Sequence, residues 1–257
     1  MFYDRTDQIS NAIGMAVRTT MELEETLLNG FKAFVGDNIT VVELSQNIIL
    51  TDEIAERFDA DVMVFMDRHK SADNVRAFTV HATGNWSDSS EYGGSPKTLS
   101  VAAPYAMASA LREIAKESYA GFEVTYEATH HGPTVETPSF FIEAGGPDSI
   151  EDGACSVVAR ALDRALYEPD ESGEPAIGIG SGHYPRKFTA QALGSKYAIG
   201  HIMPKYQCDN IDMLESAVKR STPNATKALI EWKSLKSSQR SDMIKVLDVI
   251  GIDHVRV

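Results

Sequence analysis

The 257-residue sequence has little cysteine and no long apolar run. Its two cysteines, Cys155 and Cys208, lie far apart and belong to no C-x-x-C pair, so they indicate neither a disulfide framework nor a thiolate metal site. No apolar stretch is long enough to cross a bilayer, and the start lacks the basic and apolar regions of a signal peptide. These absences predict a soluble, cytoplasmic protein with no membrane partner.

Positive charge is also scarce, with 24 basic against 37 acidic residues and a net charge of −13. Phosphate binding needs clustered lysine and arginine, so this balance argues at first against a nucleic-acid partner. The last third differs, because residues 181–257 carry 12 basic and 7 acidic side chains. Such asymmetry is typical of a surface that faces a polyanion, although solvated lysines on helix exteriors produce the same count.

The order of apolar patterns predicts an α/β fold. Strand-like runs at 61–66, 76–81, 122–128 and 139–144 are mixed with helical patterns that include 10–28 and 149–166. The run at 61–66 is nearly all apolar, which is typical of a strand covered on both faces and favours three α/β/α layers. We expect one domain, 1–257, whose basic C-terminal part, about 205–257, is helical at 212–219, 223–235 and 238–250.

Histidines gather in the middle of the chain, around the stretch 127–146. Six of the seven histidines lie between residues 69 and 201, and five of these are at predicted strand ends or in the loops that follow. They are His69, His81, His130, His131, His183 and His201. Ligands of open α/β sheets bind at the carboxyl ends of strands, so we expect these imidazoles to converge at one rim. Alternation along 139–144 places Phe140 and Ile142 on one face and Phe141 and Glu143 on the other.

Imidazoles and a carboxylate can hold zinc and leave a position for a water whose pKa falls toward neutrality. The favoured pool of ligands is His81, His130, His131, His183 and Glu143. No compact zinc motif such as H-E-x-x-H supports it, and adjacent histidines on a regular strand would point to opposite faces unless the turn at Gly132 has begun. In a metal-free alternative one histidine is a general base and another a donor to phosphate or ribose. In the structural alternative they are satisfied polar groups at strand ends.

Two glycine-containing segments are further candidates. Residues 178–188, G-I-G-S-G-H-Y-P-R-K-F, place glycines after a strand, where backbone N–H groups can approach a phosphate or an oxyanion, and add two basic side chains. Residues 83–86, T-G-N-W, offer an amide for substrate recognition and Trp86 for stacking on a base. The plainer alternatives are a tight turn for the first segment and a tryptophan folded over the core for the second.

These motifs, H-x-T-G-N, T-H-H-G-P-T, S-F-F-I-E and G-x-G-x-G-H-Y in that order, resemble those of the archaeal and plant class of D-aminoacyl-tRNA deacylases. The resemblance covers nearly the whole chain. It implies hydrolysis of the ester that joins a D-amino acid to the terminal adenosine of tRNA, a zinc requirement, and a mixed-sheet α/β/α fold similar to peptidyl-tRNA hydrolases and nucleoside phosphorylases. The sequence departs from the family at 144–146, Ala-Gly-Gly, where a larger apolar residue and Gly-Ser are expected, and in the basic pair Arg186-Lys187.

Combined with the resemblance, the motifs yield three sets of predicted site residues. The catalytic set is His81, His130, His131 and His183. The substrate-binding set is Thr83, Gly84, Asn85, Gly132, Thr134, Gly180, Gly182, Tyr184 and Lys187. The metal set, for Zn²⁺, is His81, His131, Glu143 and His183.

The predicted enzyme is a monomer without a stable protein partner. Backbone amides near Gly132 or Gly182 would stabilise the oxyanion, and the basic C-terminal part would receive the acceptor end of aminoacyl-tRNA. One alternative is a nucleoside phosphorylase-like enzyme or metal-dependent amide hydrolase on the same architecture, which would need no basic face. Another is a tRNA-binding protein without activity, which would need no activated water.

Overall fold

The computed structural model describes residues 1–71, 75–146 and 152–257. In chain order the strands are β1 Phe2–Asp4, β2 Glu24–Leu28, β3 Phe31–Gly36, β4 Ile39–Leu44, β5 Met63–Arg68, β6 Ala77–His81, β7 Gly84–Asn85, β8 Thr98–Leu99, β9 Glu123–Tyr126, β10 Ser139–Gly145, β11 Glu174–Ser181, β12 Tyr197–Pro204, β13 Lys227–Ile230 and β14 Asp253–Arg256. The α-helices are α1 Gln8–Thr20, α2 Asp52–Ala55, α3 Pro104–Glu117, α4 Asp152–Tyr167, α5 Arg186–Leu193, α6 Leu214–Lys219 and α7 Ser237–Ile250. Short 3₁₀ helices lie at Ile48–Leu50, Lys205–Gln207, Ile211–Met213 and Trp232–Ser234.

A mixed sheet of eight strands forms the centre, in the order β2-β3-β4-β1-β5-β10-β6-β9. Strand β5 is the predicted central strand, and its side chains alternate between two cores as a strand covered on both faces requires. Val64 and Met66 belong to the core shared with α1, α3 and α4. Met63 and Phe65 belong to a smaller core on the other face. The predicted α/β fold with a central mixed sheet is confirmed.

A second sheet, not expected from the sequence, consists of four parallel strands in the order β12-β11-β13-β14. Helix α3 packs against both sheets, and the largest core continues across it to Ile199 and Ile202 of β12. Helices α6 and α7 contribute to the core on the other side of the second sheet. This continuity supports one folding unit, and the single domain 1–257 stays a prediction.

Two predicted helices are wrong in part because tertiary pairing overrides local pattern. Helix α1 ends at Thr20, and residues Glu24–Leu28 form the exposed edge strand β2, paired with β3. Within 223–235, residues Lys227–Ile230 form β13 between β11 and β14. A short apolar run in a buried parallel strand cannot be distinguished from a helix by periodicity. The predicted helix start at Ser149 lies outside the described residues.

The described part of the chain contains no helix long and apolar enough to cross a membrane.

Candidate active site

Strand β10 supplies the face on which the site is built. Its register pairs Phe141 with His81 and Glu143 with Thr79 of β6. The ring of Phe141 stacks on that of His81 with 5.3 Å between centroids, and Thr79 donates a hydrogen bond of 3.2 Å to Oε2 of Glu143. The predicted alternation of Phe141 and Glu143 onto one face is confirmed.

Five of the six histidines converge as predicted, but the expected reason, carboxyl ends of strands that meet at one rim, is wrong for β5 and β6. Strand β10 lies between β5 and β6, parallel to β5 and antiparallel to β6, so the carboxyl ends of β5 and β6 lie at opposite edges of the sheet. The side chains of His69 and His81 nevertheless come together, because both contact Glu143 on the strand between them, β10. Nε2 of His81 lies 3.3 Å from Oε1, and Nδ1 of His69 lies 3.6 Å from Oε2.

The segment after β9 brings two neighbouring histidines to the same place. His131 has a left-handed backbone, with φ of 41°, so the turn has begun before Gly132 and the opposite-face rule for strands does not apply. The rings of His130 and His131 lie 4.3 Å apart, and the rings of His81 and His130 are also 4.3 Å apart. Gly132 packs so closely on the loop before β8 that a Cβ there would lie 2.2 Å from the amide nitrogen of Gly94.

His183 arrives from the second sheet. Strand β11 ends at Ser181, which pairs with Pro204 at the end of β12. The carbonyl oxygen of His183 accepts a hydrogen bond of 2.8 Å from the amide of Ala128, and this bond ties the segment to the chain beyond β9. The His183 ring consequently lies 4.7 Å from the ring of His130.

Glu127 lies at the centre of these imidazoles. Its Oε2 is 3.1 Å from Nε2 of His183 and 3.5 Å from Nε2 of His130. Nδ1 of His69 is 2.8 Å from Oε1, but this contact lacks hydrogen-bond geometry, so Oε1 is a buried oxygen without a hydrogen-bond donor among the described residues. Burial raises the pKa of Glu127, yet the contacts with His183 and His69 hold this pKa well below its usual range.

Three of the imidazoles share one orientation. Nδ1 of His81, His130 and His131 lies 3.1 Å, 2.8 Å and 2.6 Å from the carbonyl oxygens of residues 82, 128 and 132, respectively. An Nδ1–H that donates to a carbonyl leaves Nε2 as the free lone pair, the arrangement that metal-binding histidines commonly have. The main chain therefore fixes Nδ1 of all three imidazoles and leaves Nε2 as the outward atom, which in His81 lies 3.3 Å from Oε1 of Glu143.

The charges of the imidazoles differ with their neighbours. Burial by itself lowers the pKa of His69, but the opposite effect of Glu127 and Glu143 is larger, and the pKa is raised to about 9. His81 follows the same pattern through Glu143, and its pKa is raised. Desolvation lowers the pKa of His131 to about 4, and neighbouring His81 adds to this effect. Desolvation, together with the neighbouring imidazoles of His131 and His81, brings the pKa of His130 well below its usual value. At neutral pH the cluster thus offers neutral imidazoles beside protonated ones.

The site opens into a cavity of about 880 Å³. Its lining includes Glu127, His130, His131, Glu143 and His183, whereas His69 and His81 are buried beneath them. The five lining side chains therefore border the space that is open to substrate, while His69 and His81 lie below them.

The predicted substrate-binding residues divide between the cavity and its supporting structure. Gly84 and Asn85 line the cavity, and the Asn85 amide donates to the carbonyl of Gly93 over 2.9 Å. Thr83 is fully buried, with its hydroxyl 2.8 Å from the carbonyl oxygen of Pro133. Thr134 accepts a 2.8 Å hydrogen bond from the amide of residue 95. These two threonines hold the loops in place and do not line the cavity.

The other members of that set lie farther from the histidines or are already bonded. The amide of Gly132 donates to the carbonyl of Tyr92 over 3.0 Å, so in this conformation it is not a free oxyanion donor. The carbonyl of Gly180 accepts from the Ser234 hydroxyl, and Lys187 pairs with Glu231 at 3.9 Å. The Tyr184 hydroxyl lies 3.4 Å from Nε2 of the buried His69. Nothing is within 4 Å of where a Cβ on Gly182 would be.

Trp86 is a buried core residue and does not form an exposed stacking surface. It is 3% exposed, and its indole N–H donates to the carbonyl of Thr129 over 3.0 Å. The plainer alternative for this tryptophan, folding over the core, therefore describes the structure.

Sequence reasoning missed Glu127 and His69 as site residues. Glu127 directly follows β9 and precedes His130 by three positions, a spacing that brings both side chains to one cluster. Alternation along the strand predicted at 122–128 places apolar residues on one face and Glu127 on the other. This alternation was the available signal that the Glu127 carboxylate points from the face of the sheet. Within 144–146, Gly145 is the glycine that the family pattern expects, since a Cβ there would lie 2.0 Å from the carbonyl oxygen of His69.

His201 lies outside the cluster as a satisfied core histidine. Its Nε2 is 3.0 Å and 2.9 Å from the carbonyl oxygens of Ser100 and Arg220, and Nδ1 is 3.2 Å from the hydroxyl of Thr129. Burial lowers its pKa to about 4. This histidine fits the structural alternative.

The stability of the fold is expected to depend on pH through His201. Its folded pKa of about 4 lies below the unfolded value of about 6.5, so the unfolded chain binds more protons between these values. The free energy of unfolding should fall as pH drops through this window, by about 2 kcal/mol at pH ~5. Urea unfolding of the wild type and of His201→Gln at pH 7 and 5 measures this, and equal pH slopes in the two proteins would refute it.

The described residues contain three groups of possible ligands whose donor atoms lie within 4.8 Å of one another. They are His81, His130 and His131; Glu127, His130 and His183; and His69, Glu127 and Glu143. Because His130 and Glu127 each belong to two groups, the seven residues form one connected set, here called the histidine–glutamate cluster. Imidazole-rich sets with carboxylates suit zinc and related transition metals better than magnesium or calcium. The buried cluster therefore fits a metal site.

The predicted metal ligands all belong to this cluster, but the structure divides them. His183 groups with Glu127 and His130, while Glu143 groups with His69 and Glu127. The particular set of four ligands stays a prediction.

The fold and the site together define an α/β protein with a buried histidine–carboxylate centre that opens into one large cavity. A family model described as D-aminoacyl-tRNA deacylase matches residues 56–255. A solved structure described as a conserved protein of unknown function, AF0625, superposes with a TM-score of 0.92 at 28% identity and covers 99% of this chain and 93% of that one. Its likeness agrees with the mixed-sheet fold.

Curated relatives named D-aminoacyl-tRNA deacylase match most of the chain. The relative from Pyrococcus abyssi is 32% identical over 98% of this chain and 97% of its own length. The relative from Thermococcus kodakarensis is 32% identical over 91% and 89%, and the one from Ignicoccus hospitalis is 39% identical over 75% and 80%.

The chain belongs to the D-aminoacyl-tRNA deacylase family. The predicted resemblance, the hydrolase class and D-aminoacyl-tRNA deacylation are confirmed. The alternatives of a different enzyme class and of a tRNA-binding protein without activity are not supported. The likeness to peptidyl-tRNA hydrolases and nucleoside phosphorylases stays a prediction.

Proposed function

We propose that the histidine–glutamate cluster is where the chain hydrolyses the ester of D-aminoacyl-tRNA, with Zn²⁺ as its metal. The observation that carries this proposal is the shared orientation of His81, His130 and His131, whose Nδ1 atoms face backbone carbonyls. Nε2 of each imidazole would be the ligand atom, and Nε2 of His81 contacts Oε1 of Glu143 at 3.3 Å. These three residues would hold the ion. When bound, zinc supplies Lewis acidity, which polarises an ester carbonyl and lowers the pKa of water.

Glu127 and His183 supply the proton transfer in this proposal. Nε2 of His183 lies 3.1 Å from Oε2 of Glu127, so the carboxylate favours the tautomer with a proton on Nε2. Nδ1, which the Tyr206 hydroxyl approaches to 3.4 Å, then carries the lone pair that accepts a proton from the attacking water as the water oxygen bonds to the ester carbon. The same nitrogen returns that proton to the ribose oxygen when the ester C–O bond breaks. The products are the free D-amino acid and the terminal hydroxyl of tRNA.

His69 and Glu143 act as positioning residues. Both are buried, and each contacts a group that would face substrate or metal: His69 contacts Glu127, and Glu143 contacts His81. A buried carboxylate beside a metal-binding imidazole increases the basicity of that imidazole and fixes its orientation. The proton between His81 and Glu143 would be released when Nε2 coordinates a metal ion.

The basic C-terminal part would receive the acceptor end of the tRNA. Five of the nine basic residues in 205–257 make no ion pair with an acid among the described residues: Lys205, Lys233, Lys236, Arg240 and Arg256. Arg240 and Arg256 lie over the ring of Trp232, 4.9 Å and 3.7 Å from its centroid, and Lys233 follows Trp232 in the chain. The Ser234 hydroxyl bonds to the carbonyl of Gly180, so this surface adjoins the loop that carries His183. Affinity for tRNA should therefore fall with salt.

The substrate also suggests where the enzyme works. Aminoacyl-tRNA is used in translation, so we place this chain in the cytoplasm and assign it the removal of mischarged D-amino acids. We propose that it acts as a monomer. The choice between D and L arrangements would come from walls of the cavity that clash with one arrangement of substituents.

The wild-type protein is expected to release D-tyrosine from charged tRNA faster than L-tyrosine. The physical reason is that only one arrangement of substituents brings the ester carbonyl to the cluster. We expect a preference of at least about 100-fold, because a clash in a closed pocket costs several kcal/mol. Release of each labelled amino acid from matched tRNA measures it. Equal and negligible rates on both substrates would overturn the proposed function.

A further inference from the structure

The short segment Lys205–Gln207 forms a part of the cavity wall that the proposed chemistry does not use. Tyr206 and Gln207 line the cavity, and Tyr206 is 60% exposed there although it is a large aromatic residue. We propose that this segment binds the terminal adenosine of the tRNA substrate, with the adenine base stacked on the ring of Tyr206. The inference rests on the proposed function and assigns the subsite that holds the alcohol side of the ester.

The position of Tyr206 follows from the second sheet. Strands β11 and β12 are parallel neighbours that end together, where Ser181 pairs with Pro204. The chain beyond these two ends therefore carries His183 and Tyr206 side by side, and the Tyr206 hydroxyl lies 3.4 Å from Nδ1 of His183. In the substrate, the base is only one ribose away from the ester. When the ester carbonyl lies at the histidine–glutamate cluster, the adenine base therefore lies at the cavity wall that carries Tyr206.

The residues on either side of Tyr206 match the chemistry of an adenosine nucleotide. Oε1 of Gln207 accepts a 2.9 Å hydrogen bond from Nδ2 of Asn210, which fixes the amide and leaves its NH₂ group without an acceptor among the described residues. The ring nitrogens of adenine are acceptors for such a donor. Lys205 is exposed and makes no ion pair with any acid in the described ranges, so it can meet the adjacent phosphate.

A second exposed aromatic residue, Tyr92, lines the same cavity and is 65% exposed. Its carbonyl accepts the amide hydrogen of Gly132, so Tyr92 lies next to the His131 segment, whereas Tyr206 contacts His183. Its neighbour Glu91 also lines the cavity, and a carboxylate there would repel a phosphate. Lys205 and Gln207 therefore favour Tyr206 as the stacking residue, and Tyr92 offers a matched control.

Two minimal substrates isolate the contribution of the base. One is the 3′ D-tyrosyl ester of adenosine and the other is D-tyrosine methyl ester, and the ratio of their kcat/KM values measures the preference for the base. Damage to the hydrolytic centre lowers both values and cancels in the ratio. Tyr206→Ala is expected to lower this ratio about 10- to 100-fold, as the loss of one base–aromatic stack does. Tyr206→Phe, which keeps the ring, and Tyr92→Ala should keep the ratio within about threefold.

Binding of AMP, measured by calorimetry, tests the subsite without turnover. Tyr206→Ala is expected to raise the Kd for AMP by about the same 10- to 100-fold, while Tyr92→Ala leaves it unchanged. An unchanged ratio and an unchanged Kd in Tyr206→Ala, or losses confined to Tyr92→Ala, would overturn the assignment. Absence of hydrolysis in the wild type together with a Kd that depends on Tyr206 would refute the proposed function and leave the nucleotide subsite in place.

Discussion

Removal of bound metal by a chelator is expected to lower the rate of D-tyrosyl-tRNA hydrolysis by about 10³-fold, since Lewis acid catalysis contributes several kcal/mol of transition-state stabilisation. The expectation follows from the group of His81, His130 and His131, whose possible ligand atoms lie within 4.8 Å of one another, and from the buried Oε1 of Glu127 that no donor satisfies in the described part of the chain. A set rich in imidazole predicts that Zn²⁺ restores the rate and that Mg²⁺ does not. The measurement is the initial rate of the chelated protein after dialysis, with and without each ion.

Two controls make this experiment decisive. Circular dichroism of the chelated protein distinguishes loss of metal from loss of the fold. A thermal unfolding curve with added Zn²⁺ should shift to higher temperature, because an ion that binds only the folded chain stabilises it. Hydrolysis that remains D-specific and resists the chelator would remove zinc from the mechanism and leave the histidines as the catalytic groups.

Much of the fold could be predicted from side-chain periodicity, because burial acts directly on residue type. The nearly continuous apolar run of β5 predicted a strand covered on both faces, and the alternation in β10 correctly placed Glu143 beside Phe141. Periodicity failed where pairing partners decide the structure. The buried strand β13 pairs with β11, about 50 residues earlier, and local patterns contain no information about that neighbour. The exposed strand β2 pairs with the next strand, β3, across the two-residue turn Asn29-Gly30, a hairpin signal that the helical pattern over 10–28 obscured.

The site was predictable in its residue types but not in its geometry. The histidines lie in one region of the sequence, but their positions on the sheet depend on the directions of β5 and β6. Those directions depend on the insertion of β10 between the two strands. The relation of His130 to His131 depends on one left-handed residue, φ of 41° at His131. Glu127 was overlooked because a carboxylate at a strand end usually faces solvent, and only the imidazoles packed on it show that it is buried.

Substitution of Glu127 by Gln is expected to lower kcat about 10³-fold. The amide keeps the size of the side chain but removes the charge that holds His183 in the proton-accepting tautomer and that contacts His130 and His69. General acid–base contributions of 10²- to 10⁴-fold set the scale of the loss. Binding of tRNA should change little, since Glu127 lies beneath the ester and away from the basic residues. Filter binding with uncharged tRNA checks this second point.

Glu123→Gln is the matched control for this variant. Glu123 is in the same strand region, four residues earlier, but its side chain is exposed and pairs with Arg186 at 3.7 Å on the surface. Exposed ion pairs contribute little, so the control should keep kcat within about twofold of the wild type.

Single-turnover release of D-tyrosine from D-tyrosyl-tRNA, compared among wild type, Glu127→Gln and Glu123→Gln in zinc-loaded form, tests directly whether the histidine–glutamate cluster hydrolyses the ester. We expect wild-type rates in Glu123→Gln and a loss of about 10³-fold in Glu127→Gln. A folded Glu127→Gln protein that releases D-tyrosine at the wild-type rate would contradict the account.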